Sequence, residues 1–405
     1  MTRPRVLVVA DYYLPGFRAG GPVRAISNTI RRLTPDADFF LVTRDHDADG
    51  SKYRDVVVGR WTESTAGRVL YVPRLTPALL QRCVADTACD IIWLNSFFSR
   101  ASIGVLAYRR IGRIRRPVLL APRGEFASSA LAMKSHRKAI ALWALRRTGC
   151  LSDIYWLASS EFERQDIHQM VGSQRVSCVP ESVAEMPESD EGWGVKSEFQ
   201  LRAVFASRIA PMKNLLFLLE VLVRCRGDIH LDIIGPPEDA TYWATCRAAI
   251  ERLPSNVKVA YAGETTHHDL QRRLSAYDLM ILPTHGESFG HIIVEAWAAG
   301  CPVLISDRTP WRGLREQGVG WDVPLEHNAW AAALGECLAL GPEAHRALRR
   351  RAGARARRVW EDGVAGAESL RRLIDEVACG LTPERSRRSD PVVDISRTND
   401  TEPCA

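Results

Sequence analysis

Short, apolar, β-branched runs separated by longer amphipathic stretches constrain this chain more than any other feature. In the first half the runs are Val6–Ala10, Phe39–Val42, Val69–Val72, Ile91–Leu94, Val118–Ala121 and Ile154–Leu157. Several are apolar throughout, without the alternation of a half-solvated strand, which predicts strands buried on both faces of a parallel sheet. Helix-like segments such as Val23–Leu33 and Leu79–Ala85 lie between them. The pattern resumes with Ala203–Ala206, Ile229–Ile234, Val257–Tyr261, Leu279–Leu282 and Val303–Ile305, with helical stretches at Leu215–Cys225 and Ile292–Ala299. Two successive strand–helix series predict an α/β chain of two doubly wound, Rossmann-like domains facing a central cleft, with ligands at the carboxyl ends of the strands.

The chain's 405 residues exceed one ordinary core. Between the two series the texture changes: Glu185, Glu188, Asp190, Glu191, Gly192 and Gly194 stand among few core-type residues. We read domains at 1–180 and 200–380, an exposed linker at 181–199, and a polar, Pro-containing disordered tail at 381–405. With 46% hydrophobic and 25% charged residues the composition is that of a soluble globular protein. No apolar run reaches the ~18 residues of a membrane span, and the N-terminus passes into a strand-like run with no cleavable signal pattern. The ten cysteines form no Cys-x-x-Cys pair and no zinc-ligand spacing with histidine. Cys178 and Cys301, in or beside apolar runs, read as small core residues, and a reduced, cytoplasmic setting is expected. The formal charge of +6 suits anionic small ligands or a membrane surface and is too weak to argue for nucleic acid.

Two segments carry chemistry. The first runs Gly286-Glu287-Ser288-Phe289-Gly290-His291-Ile292-Ile293-Val294-Glu295-Ala296, after the apolar run Leu279–Leu282 and Pro283. The order strand, glycine-bearing loop, helix start presents backbone N–H groups to an anion or a sugar hydroxyl, and glycines let a ligand approach closely. Glu287 and Glu295 flank the loop as strong acceptors for hydroxyl pairs; the plain alternative is a helix-capping Glu287 and a solvated Glu295. The second is Ser207-Arg208-Ile209-Ala210-Pro211-Met212-Lys213-Asn214, between the strand Ala203–Ala206 and the helix from Leu215. Arg208 and Lys213 at a strand's carboxyl end suit a diphosphate, Arg by its fork and Lys as a point charge; taken alone they read more readily as surface cations.

Together the segments resemble glycosyltransferase family 4, the retaining enzymes of GT-B fold. The resemblance rests on Ser207-Arg208-Ile209, Pro211-Met212-Lys213-Asn214, Glu287-Ser288-Phe289-Gly290 through Glu295-Ala296, and Gly300-Cys301-Pro302-Val303. It covers the C-terminal half well and the N-terminal half loosely. It implies that 200–380 binds a nucleotide-sugar donor and 1–180 the acceptor side. Arg208 and Lys213 would contact the diphosphate, Glu295 the ribose, and Glu287 the donor sugar beside the amides of Phe289, Gly290 and His291. It implies no metal and no cofactor, the two cations standing in for a metal. The acceptor it suggests is a glycan or a lipid-linked chain, in polysaccharide or glycolipid assembly.

In the N-terminal half, Gly20 and Gly21 follow the first strand, where family members often carry a glycine pair near the donor phosphates; a tight turn is the alternative. Arg123 and Glu125, in Pro122-Arg123-Gly124-Glu125, occupy a region where many family members place a histidine. That departure leaves the usual sugar-contacting histidine unassigned, and makes Arg123 and Glu125 candidates for donor or acceptor contact, or else a loop-stabilising ion pair. Lys134, Arg137, Lys138, Arg146 and Arg147 around Ala139–Leu145, with Trp143, read as a basic amphipathic helix for an anionic membrane surface or as a solvated face. The Arg-rich stretch Arg346–Arg358 reads as a solvated face. Two other functions stay open at this point: a nucleotide-sugar epimerase, and a non-catalytic nucleotide-sugar-binding subunit.

Overall fold

The computed structural model describes residues 3–380 except 66, 128–129, 132–134, 173–174, 185–192 and 194. The acidic cluster from Glu185 to Glu191, Lys134 and the tail at 381–405 lie outside the described residues. The chain divides into two units, the first comprising Met1–Ala184 with Trp360–Arg385 and the second spanning Glu185–Val359.

Among the described residues the first unit holds an eight-stranded sheet of order β3-β4-β2-β1-β5-β6-β7-β8. Its strands are β1 Arg5–Ala10, β2 Asp38–Arg44, β3 Trp61–Ser64, β4 Gly67–Val72, β5 Ile91–Asn95, β6 Val118–Ala121, β7 Ile154–Ala158 and β8 Val176–Cys178. All pairings are parallel except β3 with β4. Successive side chains of a strand face opposite ways, and β1 shows the result. Leu7 and Val9 join one core with α2 Pro77–Thr87 and α3 Arg100–Arg110. Val6, Val8 and Ala10 join the other core with Ile26, Ile30 and Leu33 of α1 Gly21–Leu33. Two buried faces explain why these strands read as unbroken apolar runs. Among the described residues this unit also holds α4 Ser135–Arg147 and α5 Glu161–Val171.

The second unit holds a six-stranded sheet, all parallel, of order β11-β10-β9-β12-β13-β14. These strands are β9 Gln200–Ala206, β10 Asp228–Ile234, β11 Val257–Tyr261, β12 Leu279–Leu282, β13 Val303–Ser306 and β14 Gly320–Val323. The helices are α6 Leu215–Leu222, α7 Ala240–Ile250, α8 His267–Leu274, α9 His291–Ala298, α10 Leu314–Gln317, α11 His327–Ala339 and α12 Pro342–Ala378. In this order the chain winds from β9 outward through β10 and β11, then returns to β12 beside β9 and winds the other way. The switch point therefore falls between β9 and β12, whose carboxyl ends carry the two chemical segments. In the first sheet it falls between β1 and β5.

Several sequence expectations need correction. The domain boundary at 380 moves, because α12 begins in the second unit and its end belongs to the first. Ala367, Leu370, Leu373, Ile374 and Val377 complete the first unit's core, since that face of the sheet has apolar area that α1 alone leaves uncovered. The ends of the expected exposed linker are buried: Glu181, Ser182, Val183 and Lys196 are each under a tenth exposed. Lys196 is held there because its ammonium donates to the carbonyls of Ser197, Leu338 and Leu340. Cys301 is buried but Cys178 is exposed, since β8 is an edge strand. The Arg-rich stretch is not wholly solvated either. Arg349 and Arg355 are buried, Arg349 donating to the Tyr277 and Ser275 carbonyls beneath the Trp193 ring.

Candidate active site

The loop after β9 and the loop after β12 are tied together before any side chain is considered. Pro211–Lys213 forms a single 3-10 turn. The Met212 carbonyl of that turn accepts from the His285 amide at 2.9 Å, and the Thr284 hydroxyl lies 3.2 Å from it. On its other side the Glu287 amide donates to the Arg308 carbonyl at 3.1 Å. Ser306, at the end of β13, donates to the Thr284 carbonyl at 2.5 Å. Glu287 is thus fixed between two turns that belong to different strands.

This framework brings Lys213 and Glu287 into direct contact, Lys213 Nζ donating to Glu287 Oε1. Their side chains are 11% and 15% exposed, so the pair is sheltered yet reachable. Beyond Glu287 the chain enters α9 through Gly290, whose φ of 81° is left-handed. A methyl there would lie 2.8 Å from Ile293 Cδ1, so the position suits glycine on two counts. Gly290 is the N-cap and gives α9 no side-chain cap, so an anion or a hydroxyl could approach the positive end of this helix without displacing one. Phe289 and His291 are buried with ring centroids 4.8 Å apart, and Glu295 is 8% exposed one turn on.

Arg208 is engaged elsewhere. Its Nη1 donates to Glu238 Oε2 at 2.6 Å, and the two side chains are 40% and 51% exposed. Glu238 belongs to the loop after β10, which the Ser207–Lys213 segment touches closely: a methyl on Gly235 would fall 2.1 Å from the Ser207 carbonyl. Sequence reading missed Glu238, although Gly235-Pro236-Pro237 at the end of an apolar run is the turn signal that marks it.

In the first unit Gly20 is the N-cap of α1 with φ 74°, and no atom lies within 4 Å of a methyl placed there. Gly20 and Gly21 follow β1, at that sheet's switch point. Arg123 and Glu125, after β6, are committed to their own unit. Arg123 Nη1 donates to Glu181 Oε1 at 2.8 Å and Nη2 to Asn95 Oδ1 at 3.0 Å, above the Trp93 ring. Glu125 accepts from Ser96 Oγ at 2.7 Å and from the amides of Phe97 and Phe98 at 2.5 and 2.9 Å, and so holds the loop before α3. Burial raises the Glu125 pKa above the usual carboxylate range, opposed by these donors. Arg123 and Glu125 therefore do not pair with each other; the ion pair of Arg123 is with Glu181.

The fold is GT-B: two doubly wound α/β units, like those of the solved structures that the chain resembles. The chain is similar to sucrose-phosphate synthase from Thermosynechococcus elongatus, with TM-score 0.71 and 18% identity over 93% of this chain and all of that one. A second likeness is to HepE from Anabaena, solved in complex with UDP and glucose, with TM-score 0.67 and 19% identity over 92% of this chain and all of that one. Residues 188–358, which fall in the second unit, match the family profile of glycosyl transferases group 1. A D-inositol 3-phosphate glycosyltransferase from Mycobacterium marinum is 29% identical over 206 residues, 49% of this chain and 43% of that protein. The chain spans less than half the length of that relative.

Proposed function

We propose that the chain is a retaining glycosyltransferase that moves a sugar from a nucleotide-sugar donor to the hydroxyl of a glycan or lipid-linked acceptor. The observation that carries this reading is the Lys213–Glu287 pair at the switch point of the sheet, inside the segment that matches the group 1 profile. Lys213 and Arg208 take the diphosphate, Glu287 and the amides of Phe289, Gly290 and His291 meet the donor sugar, and Glu295 holds the ribose. Donor phosphate competes with Glu287 for the Lys213 ammonium and with Glu238 for Arg208. As the glycosidic bond breaks, negative charge grows on the leaving diphosphate, and the two cations stabilise it more than they stabilise the bound donor.

The test is turnover of UDP-, GDP-, ADP- and dTDP-sugars with and without an acceptor fraction, the product's anomeric configuration being read by NMR. A retained configuration in an acceptor-dependent product is expected. An isomerised donor without acceptor would indicate an epimerase, and nucleotide binding with no transfer a non-catalytic subunit.

The acceptor side extends this reading to an anionic lipid surface. His136, Ile140, Trp143 and Arg147 follow one another at helical spacing along α4 and are all exposed, Ile140 and Trp143 at 66%. Leu145 on the opposite face is buried in the core. An apolar pair flanked by Arg137, Arg146 and Arg147 fits an anionic membrane interface. Among the described residues no helix is long and apolar enough to cross a membrane. Co-sedimentation with phosphatidylglycerol vesicles, lost in Trp143→Ser and absent with phosphatidylcholine alone, is the expected result. Equal recovery from both vesicle types would remove this contact.

A further inference from the structure

Trp311 sits in the turn between β13 and α10, 1% exposed, and its indole N–H leaves its own loop to donate to the Phe289 carbonyl at 2.5 Å. That carbonyl precedes the N-cap of α9. The first helical turn closes on the next one, the Gly290 carbonyl, which accepts from Ile293 at 2.9 Å. The Phe289 carbonyl therefore falls outside the helix ladder, and a buried peptide oxygen needs a partner. The indole supplies it.

A trans peptide is planar, so its C=O and N–H point in opposite directions. Holding the Phe289 oxygen toward the buried Trp311 turns the Gly290 N–H to the opposite side of that peptide plane. We propose that Trp311 is a positioning residue of the donor loop: by clamping the Phe289 carbonyl it sets the direction of the Gly290 amide, and so the amide set offered to the donor. This inference rests on the donor-site reading of the Glu287–His291 loop.

The clamp is itself held in place. The Trp311 ring meets Phe289 at 5.3 Å and Trp297 of α9 at 5.1 Å, both edge-on. The Arg355 guanidinium from α12 lies 5.6 Å from its centroid. The Trp311 amide donates to Thr309 Oγ1 at 3.2 Å. With its ring fixed on these sides, the indole N–H has little freedom to release the carbonyl. Positioned amides act on a ligand without reorganising at the moment of reaction.

Trp311→Phe keeps an aromatic ring against Phe289 and Trp297 and removes the N–H. Replacing Trp311 with benzothienylalanine keeps the fused-ring shape as well, and covers the case in which the phenylalanine variant folds poorly. Calorimetric affinity for UDP-, GDP-, ADP- and dTDP-sugars without acceptor is measured for the wild type and both variants, with amide hydrogen exchange across Phe289–Val294 and steady-state transfer. We expect affinity for whichever nucleotide sugar binds to fall about tenfold, near 1.4 kcal/mol. Donor KM should rise while acceptor KM stays unchanged, and Gly290 and His291 should exchange faster. Unchanged affinity and exchange in the benzothienylalanine protein would overturn the proposal. If the wild type binds none of the nucleotide sugars, the sugar-transfer reading fails instead, and the exchange data alone decide whether Trp311 sets the loop.

Discussion

The loops after β5 and β6 in the first unit and those after β9 and β12 in the second begin from the same materials: carboxyl ends of parallel strands, a basic residue and a glutamate. Exposure does not separate them. Arg123 and Glu181 are 10% and 5% exposed, Lys213 and Glu287 11% and 15%. The use of their hydrogen-bonding capacity does. Glu125 satisfies three donors of the chain itself, and Arg123 divides its fork between Asn95 and Glu181. Lys213, with three N–H donors, contacts Glu287 across two loops that backbone bonds already hold together. Where side-chain bonds build the loop, removing a charge should unfold it. Where the backbone builds the loop, the charges remain available to a ligand.

The sharpest way to break this contrast is at Lys213 and Glu287. Lys213→Ala and Glu287→Gln should each lower kcat/KM for transfer by about 10²–10³-fold, as loss of one preorganised electrostatic contact does, with little change in melting temperature. Wild-type turnover in Lys213→Ala would erase the distinction. Next comes Arg123→Ala, which removes the bonds to Asn95 and Glu181 that hold its loop and should cost about 3–5 kcal/mol in urea denaturation, transfer per folded molecule staying near wild type. Normal stability with lost transfer would make Arg123 a ligand contact and the two regions alike. A smaller effect is expected at the glycines. Gly290→Ala combines a left-handed φ with a close approach to Ile293 and should cost about 1–3 kcal/mol and weaken nucleotide-sugar affinity. Gly20→Ala, with open space around it, should cost only about 1 kcal/mol. Equal penalties would show that the packing around Gly290 is immaterial. Smallest of all, Glu238→Gln removes a half-exposed pair and should change stability by at most about 1 kcal/mol, while leaving Arg208 to bind nucleotide as tightly as before or tighter. Weaker binding would make Glu238 part of the site.

Much of this was legible in the sequence because parallel strands buried on both faces leave unbroken apolar runs. The strands that escaped notice lack such runs. Trp61–Ser64 is a polar edge strand, Val176–Cys178 has three residues, and Gly320–Val323 opens on glycine and carries Asp322, whose carboxylate accepts from Gly313 and Leu314 ahead of α10. The site's two segments were legible as strand–loop–helix junctions. Trp311 was not, since nothing in its local sequence shows that its indole reaches a carbonyl 22 residues away.

By itself the sequence determined the strand–helix alternation, the glycine-bearing entry to α9 and the presence of cations and acids at strand ends, because each follows from local periodicity and backbone sterics. Only the tertiary structure decided that β12 returns beside β9, so that Lys213 meets Glu287, and that the end of α12 belongs to the first unit's core. It also decided which charges the protein keeps for its own loops. Those outcomes depend on which apolar faces meet and which buried polar atoms find partners, and such long-range conditions leave no mark on neighbouring residues.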